Sequence, residues 1–501
     1  MKIADIFASG AVLQRRKPIC VWGTDDKASS VTVTLGDESV QANVKNGEWS
    51  VSLPEFEANE GLVLVVKNDL GEEIVLEDIA IGEVWIAGGQ SNMEFQMKCD
   101  AEREEVLPTF SNTQLRFYEC PKVSYEGQLL DEDHSDEGIW RKAVPGDSGY
   151  FSAVGFYFAN KLADSLKDVP IGIIGCNWGG TSASCWMTDE YLDGELKFYV
   201  EMREKTKELD LEAEFEGFKK NRAMQMTPEA KKGMEHFLAT PMLEPMPMPF
   251  TQEELEAFLR SKHAPFSPFC AAGLYKTMLS KIIPYTAAGV IWYQGEEDAM
   301  FAEYYTKLLS RMIRCWRDKW GDELPFVIAQ LTAYTNPGNG QMLDFTPLRE
   351  AQELVCKTVN NTYLVCTMDA GLQYDIHPKC KRPVGERMAL QALNNVYGIK
   401  TLSESPEVSG AFKENGRVVV KMLHCGDGLY INGDKAESVE LFVNGKACCC
   451  EVSVCGNEMI VASGVICECS RVEIRYEQKD FCIANIFGST GIPVRPFVVK
   501  L

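Results

Sequence analysis

Ser91, Gln294, Asp369, Asp375 and His377 all stand shortly after brief apolar runs, in the company of glycines. Val84-Trp85-Ile86-Ala87 leads into Gly88-Gly89-Gln90-Ser91-Asn92-Met93-Glu94, and Ile171-Gly172-Ile173-Ile174 into Asn177-Trp178-Gly179-Gly180-Thr181. Gly289-Val290-Ile291-Trp292 is followed by Tyr293-Gln294-Gly295-Glu296. Tyr363-Leu364-Val365-Cys366 precedes Asp369 and then Asp375-Ile376-His377-Pro378. A hydroxyl, glycine amides, a side-chain amide and an Asp/His pair are the parts of a serine acyl-transfer site. They supply a nucleophile, donors for an oxyanion, a base and a carboxylate to orient it. Each part also has a plainer use: Ser91 as a helix N-cap, Gly179-Gly180 as a turn, His377 as a turn histidine. Of the five histidines, only His377 follows one of these runs. His134 lies in an acidic loop, His236 and His263 in an interrupting region, and His424 near the C-terminus.

The elements that must position these groups are strands alternating with helices, the pattern of a parallel α/β sheet. The four runs above and Pro325-Phe326-Val327-Ile328-Ala329 make five expected core strands. Ligands collect beyond the carboxyl ends of such strands, where the candidate groups fall. Tyr305, Leu308, Leu309, Met312, Ile313, Trp316 and Trp320 form a helical stripe for core packing. From about 190 to 270 the rhythm breaks into an expected helical lid or rim: Thr227-Pro228 starts a helix, Pro241 to Pro249 is a loop, and Thr251 with Glu254 forms a capping box. Residues 1–78 read as a small β domain, with Asn46-Gly47 as a hairpin turn. Residues 405–501 read as a second β domain, leaving 79–404 for the catalytic domain.

Asp plus Glu outnumber Lys plus Arg, 73 to 50, for a formal charge of −23. That excess repels phosphate backbones and argues against nucleic acid and anionic membrane surfaces as partners. No apolar run is long enough to span a membrane and the start shows no export pattern, so a cytoplasmic location is expected. Eighteen cysteines then read as free thiols. Cys448, Cys449 and Cys450 are contiguous and point to alternate faces of a strand, which does not suit one metal. No metal or organic cofactor is expected, because no zinc helix, dinucleotide fingerprint or Walker loop occurs. Oligomeric state is left open.

Four ordered blocks carry a resemblance: Gly89-Gln90-Ser91-Asn92-Met93, Trp178-Gly179-Gly180-Thr181, Trp292-Tyr293-Gln294-Gly295-Glu296 and Asp375-Ile376-His377-Pro378. They resemble the sialate O-acetylesterase family of the SGNH hydrolases, which includes carbohydrate acetylesterases. Val12-Leu13-Gln14-Arg15, Leu348-Arg349-Glu350-Ala351-Gln352 and Phe481-Cys482-Ile483-Ala484-Asn485 extend the likeness to nearly the whole chain. It implies a three-layer α/β/α, flavodoxin-like core with a five-stranded parallel sheet, flanked by N- and C-terminal β-sandwich-like regions. No Gly-x-Ser-x-Gly elbow occurs, which sets aside the common α/β-hydrolase alternative.

The resemblance implies a serine esterase that removes O-acetyl groups from sugars through an acetyl-serine intermediate. Ser91 is then the nucleophile and His377 the base. The Ser91 N–H, the Gly179 or Gly180 N–H and the Gln294 side-chain amide are the expected oxyanion donors. Trp178, Trp186, Tyr293 and Arg387 are candidates for the sugar-facing wall. Glu296-Glu297-Asp298 either bond substrate hydroxyls or start the next helix. The commonest SGNH spacing places Asp three residues before His, where this chain has Tyr374. Asp375 is favoured as the orienting acid, with Asp369 or a Ser–His dyad as the alternatives. The substrate is an acetylated sialic acid or an acetylated xylan- or mannan-derived oligosaccharide. A general short-chain carboxylesterase and a non-catalytic carbohydrate-binding protein are the competing readings.

Overall fold

A computed structural model describes residues 1–245, 251–335 and 344–501. Its centre is a large mixed sheet whose main path contains β1 (Glu73–Gly89), β2 (Asn112–Glu119), β3 (Trp140–Ala143), β4 (Ile171–Asn177), β5 (Gly289–Tyr293), β6 (Phe326–Ala329) and β7 (Thr362–Val365). The spatial order is β3-β2-β4-β1-β5-β6-β7. All neighbours pair in parallel except β3, which lies antiparallel on the edge beside β2. The parallel part therefore has six strands, where the sequence pattern gave five. The added strand, β2, reads Asn-Thr-Gln-Leu-Arg-Phe-Tyr-Glu, and its polar first half hides it from a search for continuous apolar runs.

Strand β1 holds two regions together. Its first residues, Glu73 to Asp78, alternate between exposed and half-buried and pair antiparallel with Asn59–Asn68. From Ile79 to Gly89 every residue is buried, as suits a strand covered on both faces. The boundary drawn at residue 78 falls inside this unbroken strand. Ser30–Leu35 and Glu38–Asn43 continue the N-terminal sheet, and Lys2–Ile3, Ile19–Thr24 and Glu48–Leu53 make a second one. One apolar cluster runs from Val21, Val33 and Trp49 to Trp85, Val290 and Trp316. The C-terminal strands build their own core around Val418, Val420, Ile474 and Tyr476.

The interrupting region is helical, including α2 (Leu211–Gln225), α3 (Pro228–Ala239) and α4 (Gln252–Ser261). Thr227 caps α3 by accepting from the Ala230 N–H, as Thr-Pro at a helix start predicts. The remainder of the proline-rich run, 246–249, and the Glu254 side chain of the expected capping box lie outside the described residues. α2 and α3 bury none of their residues fully. The Tyr305 to Trp316 stripe is buried on α5 (Ala302–Trp320), as its spacing requires. All eighteen cysteines are free. Among the described residues no helix is long and apolar enough to cross a membrane.

Candidate active site

Ser91 sits where β1 ends. Gly89 adopts a φ of +137°, and a Cβ there would meet the Tyr293 carbonyl oxygen at 2.1 Å, so the chain can turn beside β5 only with glycine. The one-turn helix α1 (Ser91–Glu94) follows, with Gln90 rather than Ser91 at its N-cap position. The Ser91 hydroxyl is thus not spent on a cap. So short a helix carries little macrodipole, so any anion stabilisation here must come from individual N–H groups. The Met93 and Glu94 N–H groups donate to the Gln90 carbonyl. The Ser91 N–H donates to nothing among the described residues.

The turn after β4 presses against this serine. A Cβ on Gly179 would lie 3.2 Å from the Ser91 Cβ, a contact tolerable only because that position is bare. The Gly179 N–H is already taken: it donates at 2.6 Å to Glu94 Oε2, while Lys122 Nζ holds the other oxygen at 2.5 Å. The Gly180 N–H has no acceptor among the described residues. Of the two glycines, Gly180 keeps its donor free.

The turn after β5 is different, because its polar groups bond to one another. Gln294 is fully buried. Its amide nitrogen donates to the Thr181 carbonyl at 3.1 Å and to Asp298 Oδ2 at 2.7 Å, and its oxygen accepts from Tyr305 at 2.8 Å. Both amide hydrogens are consumed, so Gln294 braces the β4 and β5 turns and has no donor left for an oxyanion. Asp298 also accepts from Ser182, Ala183 and Tyr199. Burial nevertheless holds its carboxyl above the usual range.

His377 enters from the loop after β7. Asp375, two residues earlier, is fully buried and does not bond to the ring. Its Oδ1 accepts the backbone N–H of His377 at 3.1 Å, its Oδ2 accepts the Met242 N–H at 3.1 Å, and Lys379 Nζ lies 2.9 Å from Oδ2. Asp375 therefore shapes the turn that carries the histidine. Asp369 is clamped by Arg387 at 2.6 and 2.7 Å. The buried Nδ1 of His377 has no partner among the described residues. Burial first, then the charges of Lys381 and Lys379, depress the imidazole to about 3. It is a neutral base at any ordinary pH. No hydrogen bond joins Ser91 Oγ to this ring among the described residues; such contacts often close only around substrate.

The four expected wall residues are placed otherwise. Trp186 and Tyr293 are core, with the Trp186 indole N–H on Thr181 Oγ1 at 3.0 Å. Arg387 is buried and also donates to the Gly491 carbonyl. Trp178 is nearly buried, and the Arg222 guanidinium of α2 lies over its ring at 5.6 Å. A half-buried aromatic that the sequence reading passed over stands closer to the donors. Phe269 lies 3.1 Å from where a Gly180 Cβ would be and packs edge-on against Phe258 of α4. Composition of the insertion offered no cue to it.

A family profile described as "Carbohydrate esterase, sialic acid-specific acetylesterase" matches residues 261–394, the stretch holding Gln294, Asp369, Asp375 and His377. Sialate O-acetylesterase of Mus musculus is 25% identical over 76% of this chain and 71% of its own length. The Homo sapiens protein of that name is 23% identical over 80% and 72%. A solved carbohydrate acetylesterase from Xanthomonas citri superposes with a TM-score of 0.75 at 26% identity, covering 99% of both chains. The class is carbohydrate esterase. Within that class its likeness is to the sialic acid-specific acetylesterases.

Proposed function

We propose that this protein is a serine esterase that removes O-acetyl groups from carbohydrates, built on an SGNH-type α/β/α core with β-sandwich-like flanks. The observation that carries the reading is the junction of Ser91 with the Gly179-Gly180 turn. There a hydroxyl not used as a cap lies beside two unspent N–H groups, at the carboxyl edge of a parallel sheet. Ser91 Oγ attacks the acetyl carbonyl while His377 takes its proton. The Ser91 and Gly180 N–H groups receive the oxyanion. Collapse expels the sugar oxygen, which His377 protonates, and leaves acetyl-Ser91. Water activated by the same imidazole releases acetate.

Four cations near the turn are matched with carboxylates, Lys122 with Glu94, Lys262 with Glu297, Arg222 with Glu132 and Lys379 with Asp375, while Lys381 is buried and donates to Asn92 Oδ1. A sialic acid carboxylate would have to displace one of these partners or reach the buried Lys381, so the local charge favours neutral acetylated sugars. Acetate release from O-acetylated sialic acid and from acetylated xylo- and manno-oligosaccharides, measured side by side, tests both statements. The general-carboxylesterase reading replaces this one if 4-nitrophenyl butyrate and octanoate are cleaved as well as the acetate while all acetylated glycans are refused.

A further inference from the structure

A serine esterase that works through a buried imidazole needs an acceptor for the second ring N–H once the imidazole is charged. The two aspartates near His377 are engaged elsewhere, Asp375 with Lys379 and two backbone N–H groups, Asp369 with Arg387. Leaving a buried donor unpaired costs about 1–3 kcal/mol, and more when it is charged. The same site holds a buried acceptor with nothing to accept. Glu296 is 6% exposed, and its Oε2 has no partner among the described residues.

One side chain links these two unsatisfied groups. Asn92, next to the nucleophile and 1% exposed, donates through Nδ2 to Glu296 Oε1 at 2.5 Å and to the carbonyl of Ile376 at 3.0 Å. Ile376 is the residue before His377. On the other side, Lys381 Nζ donates to Asn92 Oδ1 at 2.5 Å. Asn92 thus fixes the Glu296 carboxylate and the histidine's own backbone to the first turn after Ser91.

We propose that Glu296 is the positioning residue for His377: its free oxygen accepts the hydrogen bond of Nδ1–H when the imidazole takes the Ser91 proton. The proton moves from Ser91 Oγ to Nε2 and on to the departing sugar oxygen, Nδ1 keeps its own hydrogen, and Glu296 stays a carboxylate throughout. Burial holds the Glu296 carboxyl above its usual range, with the Asn92 bond and the Lys381 charge opposing. The working form is therefore lost as pH falls through that raised value.

This assignment rests on the esterase reading, and Ser91→Ala separates the two: retained acetate release in a folded Ser91→Ala protein overturns both. With Ser91→Ala inactive, Glu296→Gln should lower kcat by about 10³–10⁴-fold with KM little changed. Glu296→Asp should recover part of the loss and show a displaced acid limb in its pH profile. In enzyme blocked at Ser91 by an organophosphonate, the downfield Nδ1–H proton resonance should move in Glu296→Gln and persist in Asp369→Asn. A Glu296→Gln enzyme with normal kcat, or with a change confined to KM, overturns the proposal, as does a severe kcat loss in Asp369→Asn with Glu296→Gln near wild type. Should Glu296→Gln fail to fold, Glu296→Asp decides alone: an unchanged acid limb with full kcat rejects the role.

Discussion

The turns that follow β1 and β4 and the turn that follows β5 meet at one sheet edge, yet they treat their polar groups in opposite ways. Around Ser91 and Gly180, N–H donors are left without acceptors among the described residues. Around Gln294 and Asp298 nearly every donor and acceptor is matched inside the protein. Satisfied buried networks fix geometry, whereas unspent donors leave room for a reacting oxygen. Glu296 Oε2 is the exception on the saturated side, which is why it draws a role.

Substitutions can break or sharpen that contrast. The largest effect belongs to Ser91→Ala, which should cut turnover on the order of 10⁴-fold or more while the unfolding midpoint holds. A tenth of wild-type activity in the folded variant would remove Ser91 from its role. Next comes Gln294→Ala. It strands the Thr181 carbonyl and takes one donor from Asp298, while the Tyr305 hydroxyl keeps the main-chain carbonyl of residue 294, for a stability loss on the order of 1–3 kcal/mol in urea titration. An unchanged midpoint with turnover down about 10²-fold would instead return Gln294 to the oxyanion and dissolve the comparison.

A smaller effect is expected for Glu94→Gln. It keeps an acceptor for the Gly179 N–H and discards the charge facing Lys122, so turnover should fall by only ~5-fold, the equivalent of about 1 kcal/mol. The smallest concerns pH. Because the neutral imidazole is the base, a value depressed to about 3 from the ordinary 6.5 keeps His377 competent well into acid. The acid limb of kcat/KM then belongs to other groups, Glu296 first. Lys381→Met removes one of the two charges that depress His377 and one that opposes the raised value at Glu296. Both changes move the limb upward, and a pH profile with an unmoved limb would detach Lys381 from the site.

The sequence was legible where chemistry and periodicity coincide. Ser91, Gly180 and His377 follow short apolar runs, and such runs announce themselves. The five expected strands and the Tyr305 to Trp316 stripe were readable for the same reason. β2 escaped because Asn112, Thr113 and Gln114 break its apolar character. Residue identity told which side chains can donate, but not which had already found acceptors. Gln294, Asp375, Asp369 and Arg387 were therefore read as groups aimed at substrate or at the imidazole. They are instead bonded into the frame, through partners as distant in sequence as Thr181, Met242 and Gly491. Glu94 and Asn92 were in view within the serine block, yet their roles depend on Gly179 and Ile376, which only tertiary structure brings near.

The unbroken course of β1 has a consequence for how this protein is made. As the chain leaves the ribosome, Glu73 to Asp78 can pair at once with the preceding strand Asn59–Asn68. Ile79 to Gly82 can likewise pair with Leu62, Asn59 and Val12–Gln14, but Glu83 to Gly89 must wait for Ile171–Asn177 on one side and Gly289–Tyr293 on the other. During that interval Val84 to Gly89, an apolar segment with open edges, is tethered to strands that have already paired. Such a segment invites pairing with other nascent chains. Slow translation past residue 89 should therefore favour aggregation, and a polysome-bound chaperone that covers Val84 to Ala87 should raise the yield of active enzyme.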